Sequence, residues 1–177
     1  RSKKEVFLAE WLPRLTSDVE PISPYRVIWD LMKITDRTRT VLTHDSGNPR
    51  DQIIPFFEAI VPHGYIGWGK STQLGTGLGL TLGAKLAKPD WLAINIIGDA
   101  SFGMVGLDLE TAVRCEIPIM TIVFNNGVMG GYEEHLPIAT SNYKVHHLGG
   151  HYTKVAEALG VVAERVERVN ELVPAMQ

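Results

Sequence analysis

The sequence predicts an α/β domain: a parallel sheet with helices on both faces. Three observations lead there. The strand-like segments are short and almost wholly apolar, helical segments lie between successive ones, and polar or glycine-rich clusters mark where they stop. Strands buried on both faces read as continuous apolar runs, and crossover helices are what join parallel neighbours.

Phe7, Leu8, Trp11, Leu12 and Leu15 recur at helical spacing and predict an opening helix. Ser23-Pro24 is an N-cap followed by proline at the first helical position, and Val27, Ile28, Leu31 and Met32 form the apolar face that follows. Thr40 to Thr43 reads as a buried strand ending in the polar loop 44–49, and Pro49 signals another helix start. From Thr72 the chain is glycine-rich, then helical through Ala87. Trp91 to Ile97 and Ile119 to Phe124 are buried strands with a helix near Leu107 to Arg114 between them. Thr153 to Leu159 is helical up to Gly160, Val161 to Val166 is expected as a strand, and Asn170 as the cap of a last helix.

At 177 residues the chain has the size of one α/β domain. Residues 1–20 are expected to be a linker helix from a preceding domain and 21–177 the domain proper. The chain opens on Arg1-Ser2-Lys3-Lys4 without methionine and stops at Gln177 inside a helix-like run. We therefore expect a piece of a longer polypeptide, truncated at the C-terminus. Hydrophobic residues make up 45% and charged residues 21%, enough apolar side chain for a real core. A net charge of −3 with no basic stripe excludes nucleic acid as a partner. No apolar run approaches the ~20 residues of a membrane helix, and no signal-peptide pattern opens the chain. The single cysteine, Cys115, reads as a small core residue, and a cytoplasmic setting is expected.

Ligands of open α/β sheets bind at the carboxyl ends of the strands. Here one strand runs into Gly98-Asp99-Ala100-Ser101 and the next into Asn125-Asn126-Gly127. As neighbours, these strands would bring Asp99 and Asn126 together. A carboxylate, an amide oxygen and a backbone carbonyl just beyond suit a hard divalent cation such as magnesium, which takes oxygen ligands and keeps sites for phosphate and water. Backbone N–H groups of Ala100 and Ser101, where a helix begins, would meet a phosphate.

The segment GDASFGM…IVFNN resembles the motif of thiamine-diphosphate-dependent enzymes: GDG, about two dozen residues, then NN. Here residues 101–124 separate the two halves. The resemblance is to the diphosphate-binding (PP) domain of the acetolactate-synthase and benzoylformate-decarboxylase group. It implies Mg2+ held by Asp99, the Asn126 side chain and the Val128 carbonyl. Thiamine diphosphate would be held by Ser46, Gly47, Asn48, Thr72, Leu74, Gly98, Ala100, Ser101 and Met129, with Leu74 as the bulky residue that bends the cofactor. Ala100 replaces the usual third glycine, which a negative φ permits. Substrate-facing residues would follow the Asn pair, with Gly131 and Tyr132 as candidates.

The resemblance further implies a 2-oxo-acid decarboxylase or carboligase, acetolactate-synthase-like. An oxalyl-CoA-type or benzoylformate-type decarboxylase is the alternative, because GVMGGYEEH lacks the Gln-Trp stretch of acetolactate synthases. The substrate would be a 2-oxo acid or an acyl-CoA. The partner would be a pyrimidine-binding domain of the same or a neighbouring subunit, within a homodimer or homotetramer. The glutamate that activates the cofactor is expected on that other domain, leaving no catalytic residue in these 177 residues and an inactive fragment.

Two other patterns compete. Gly64 to Ser71 satisfies G-x-x-x-x-G-K-[ST], the phosphate loop of nucleotidases, which needs a strand directly before it and an unbroken helix directly after. Pro62 stands just upstream, and Gly75, Gly77 and Gly79 would each weaken that helix by ~1 kcal/mol. His146, His147 and His151 fit no common zinc spacing and are expected in a solvated loop. A non-catalytic homologue that keeps the fold as an assembly surface is the remaining alternative.

Overall fold

The structure is a computed structural model, and it describes residues 2–67 and 73–177. The elements run α1 (Lys3–Leu15), α2 (Pro24–Ile34), β1 (Thr40–His44), α3 (Asn48–Ile53), β2 (Tyr65–Ile66), α4 (Thr76–Ala87), β3 (Leu92–Gly98), α5 (Asp99–Val105), α6 (Asp108–Arg114) and β4 (Met120–Phe124). They continue with α7 (Tyr132–His135), α8 (Pro137–Tyr143), α9 (Tyr152–Ala158) and α10 (Val169–Ala175).

All strand pairs are parallel, in the order β2-β1-β3-β4, as the apolar runs predict. In β3, alternate residues feed opposite layers. Ile94 and Ile96 join Leu15, Ile28, Leu31, Leu42 and Ile53 under α1, α2 and α3. Ile97 joins Leu78, Phe102, Leu109 and Ala156 under α4, α5, α6 and α9. Trp11 ties α1 to the first layer, with ring centroids 5.0 Å from both Tyr25 and Phe56. Burying each such side chain contributes about 1.5–3 kcal/mol, so the sheet is clamped from both sides. Among the described residues no helix is long and apolar enough to cross a membrane.

Three expectations need correction. Val161 to Val166 is not a strand: it has no regular secondary structure, and no hydrogen bond joins it to β4 among the described residues. Gly160 abuts Val113 near the end of α6, and Arg168 to Asn170 border the same recess as Arg26 at the start of α2. β4 and residues 161–167 line one cavity. A segment without a ladder partner is not sheet, whatever its side chains prefer. Second, Arg168, not Asn170, occupies the N-cap of α10, and its N–H donates to the Glu171 carboxylate at 3.1 Å. Third, Cys115 is exposed, because α6 ends one residue earlier and the side chain falls outside its apolar face.

Candidate functional site

The carboxyl ends of β1, β3 and β4 each break into polar loops, and these loops converge. β1 delivers Asp45 and Ser46, both buried, then Gly47 and the start of α3 at Asn48. Gly47 has φ +81°, a left-handed conformation that disfavours side chains. The buried Asp45 carboxylate accepts the Ser46 N–H at 2.7 Å and the Gly75 N–H through both oxygens at 2.9 Å. It thereby fastens the turn containing Leu74 and Gly75, which opens α4, to the end of β1. α4 itself lies close against the sheet, because Gly77 has no side chain to hold it away from Asn95 and the His44 carbonyl.

β3 ends at Gly98, and Asp99 begins α5, 3% exposed. One carboxylate oxygen accepts the Ala100 N–H at 2.9 Å and the other accepts the Gly127 N–H at 2.7 Å. The second bond crosses from β3 to β4 and draws the Asn126-Gly127 turn onto Asp99. Ala100 lies within helical backbone at negative φ, so alanine is accommodated in place of glycine. Ser101 is buried beneath it. Asn126 is exposed, and its Oδ1 accepts the Val128 N–H at 3.1 Å.

Asn48 sits against Gly130, where an added Cβ would lie 3.6 Å from Nδ2, and Pro49 sits against Gly98. The three loops therefore share one cleft of about 1840 Å³, the cavity that β4 also lines. Ser46, Gly47, Asn48, Leu74, Gly98, Asp99, Ala100, Ser101, Asn126, Val128, Met129, Gly131 and Tyr132 all line it. Thr72, the remaining expected cofactor contact, lies outside the described residues, as do Lys70 and Ser71 of the phosphate-loop pattern. That pattern is in any case misplaced: β2 falls inside it and α4 begins only at Thr76.

The donor set fits magnesium and a diphosphate. Among the described residues no three His, Cys, Asp or Glu side chains gather as a soft-metal or multi-carboxylate site would require. One carboxylate, one amide oxygen and the Val128 carbonyl would make an oxygen-only set, with room for phosphate oxygens. Each Asp99 oxygen accepts one N–H and retains lone-pair capacity for a cation.

Three participants escaped sequence reasoning. Asp45 was visible only as part of a loop, since its partner is a backbone N–H thirty residues away. Tyr152, one residue before the helix expected from Thr153, lines the cleft, and burial first, then the Asp99 charge, pushes its phenol up. His146 is not in a solvated loop: it is half-buried, and its Nδ1–H donates to the Met129 carbonyl at 3.1 Å. The period-3.6 and apolar-run patterns carry no signal for any of them.

A parallel α/β domain that gathers backbone N–H groups, a buried carboxylate and an amide oxygen at its strand ends has the make-up of a cofactor-anchoring domain. The chain belongs to the thiamine pyrophosphate enzyme family, and residues 45–177 match its C-terminal TPP binding domain. It is 31% identical over 170 residues to a probable acetolactate synthase large subunit of Methanocaldococcus jannaschii, covering 91% of this chain and 29% of that protein. It is also 31% identical over 175 residues to a 2-hydroxyacyl-CoA lyase of Oryza sativa subsp. japonica, covering 92% of this chain and 30% of that protein. A mitochondrial acetolactate synthase of Schizosaccharomyces pombe is 30% identical over 162 residues, 89% of this chain and 24% of the relative. The chain thus spans less than a third of the length of these relatives.

Proposed function

We propose that this chain is the cofactor-holding domain of a thiamine-diphosphate-dependent, acetolactate-synthase-like enzyme that decarboxylates a 2-oxo acid or joins it to a second carbonyl compound. The observation that carries this reading is the Gly127 N–H to Asp99 bond at 2.7 Å, which sets the Asn126 turn beside the buried carboxylate. Thiamine diphosphate, when bound, supplies a carbon nucleophile and an electron sink. The residues of this chain bind and orient. Asp99, Asn126 and the Val128 carbonyl would hold Mg2+, while Ser46 to Asn48 and the start of α5 would hold the diphosphate. Leu74, fixed through Gly75 by Asp45, would set the bend of the cofactor, and Gly131 and Tyr132 would face the substrate.

No group in this arrangement is assigned to proton transfer at the pyrimidine. That role falls to a pyrimidine-binding domain outside residues 1–177, on the same or a neighbouring subunit. Residues 1–20 would be a linker helix from a preceding domain, and residues 21–177 the cofactor-binding domain. The 2-hydroxyacyl-CoA lyase relative favours an acyl-CoA substrate as the second reading. Calorimetry of the full-length protein with thiamine diphosphate, with and without Mg2+, tests the proposal. We expect binding that requires the metal and falls more than about 100-fold in Asp99→Ala, since a ligand should cost at least as much as its supporting shell. Metal-independent binding, or an unimpaired variant, overturns it. Product analysis with pyruvate and with 2-hydroxyacyl-CoA separates the two substrate readings.

A further inference from the structure

The segment 126–129, which carries two of the proposed metal ligands, does not stand alone: residues 146–148 are laid against it. The Met129 N–H donates to the His146 carbonyl at 2.8 Å, and the Leu148 N–H donates to the Gly127 carbonyl at 2.9 Å. These two bonds flank an antiparallel bridge between Val128 and His147. In a bridge of this pattern the facing residues keep their own N–H and C=O turned away from the partner strand. The Val128 N–H is accordingly taken up by Asn126 Oδ1, on the outward side. The Val128 carbonyl shares that side, so the pairing presents carbonyl and amide oxygen together.

His146 adds a side-chain bond. Its Nδ1–H donates to the Met129 carbonyl at 3.1 Å, so Met129 is held to His146 through both its N–H and its C=O. Nε2 of the same ring lies 3.5 Å from a Glu133 carboxylate oxygen, reaching the start of α7 just past Gly131 and Tyr132. One side chain therefore ties the end of the metal-binding turn to the segment proposed to face the substrate. We propose that residues 146–148 are a clasp that fixes the outward orientation of the Val128 carbonyl, with His146 as its positioning residue.

This inference rests on the cofactor reading above, and the experiment separates the two. In the full-length protein, the Mg2+ concentration for half-saturation and the affinity for thiamine diphosphate are measured for wild type, His146→Ala, His146→Asn and Asp99→Ala. We expect His146→Ala to weaken both by about 10- to 100-fold, the range for partners that orient metal ligands. His146→Asn, whose amide N–H can reach the same carbonyl, should recover most of the loss while leaving the melting temperature close to that of the alanine variant. A purely structural role would instead move melting temperature and affinity together, without rescue, and would overturn the proposal. A second measurement needs no variant: hydrogen exchange at the Met129 and Leu148 amides should slow when Mg2+ and thiamine diphosphate are added. Unchanged exchange on ligand binding overturns the clasp, as does a His146→Ala variant that binds like wild type. Failure of the wild type to bind metal and cofactor together, or unimpaired binding by Asp99→Ala, overturns the cofactor reading itself.

Discussion

An added methyl group at Gly77 would sit 2.7 Å from Asn95 Oδ1 and 2.8 Å from the His44 carbonyl, whereas at Gly79 it would meet nothing within 4 Å. Both glycines belong to α4, and they should respond in opposite directions. Gly77→Ala is expected to destabilise the fold by about 1–3 kcal/mol through overpacking against backbone. Gly79→Ala should stabilise it by about 0.5–1 kcal/mol, the intrinsic gain of alanine in a helix interior. Urea unfolding of the two variants checks both signs. His44 supplies a pH test. It is buried at the end of β1, and burial holds its pKa below the usual imidazole value. The unfolded chain therefore binds a proton near pH 6.5 that the folded chain refuses until lower pH. Unfolding free energy should fall as pH drops from about 6.5 toward that lowered value, and should flatten below it. In His44→Asn, a urea titration across that window should lose this part of the slope. Asp99 and Asn126 were legible in the sequence because chemistry-bearing residues stood at the ends of apolar runs. Gly77 was legible only as a weak helix former. Its need for closeness depends on Asn95 and His44, which no local pattern links to it.

Between elements, the decisive connection is the Asp45 carboxylate joining the end of β1 to the turn that opens α4. Hydrogen bonds to a charged acceptor contribute about 1.5–3 kcal/mol each, and here they also position Leu74. Asp45→Ala is expected to cost at least about 2 kcal/mol and to speed exchange of the Gly75 amide. Exchange confined to residues elsewhere would contradict this. Most elements could be read from the sequence, for identifiable reasons. The strands β1, β3 and β4 are apolar runs bounded by turn residues, and α2 is announced by Ser23-Pro24. The segment 161–166 carries the same strand-like composition as β4, yet strand identity depends on a ladder partner as much as on side chains. Cys115 was misplaced for a related reason: one residue past the last helical turn, the apolar periodicity no longer decides which side faces the core.

The whole molecule is arranged so that one end of a four-stranded sheet carries the site while helical layers seal both faces. Its β4 edge is treated differently. β4 has no strand on its outer side among the described residues, and residues 161–167 line the same cavity as β4. An unpaired strand edge is a template for other chains, and proteins commonly cover such edges with a loop or helix. We expect residues 161–167 and α10 to take that part here, as a screen rather than a partner. Solubility should therefore depend on the docking of α10 against α2. A chain ending at Gly160 is expected to self-associate through β4 and to scatter light at concentrations where residues 1–177 stay monodisperse. Equal monodispersity of the two in light scattering would show that the edge needs no such guard.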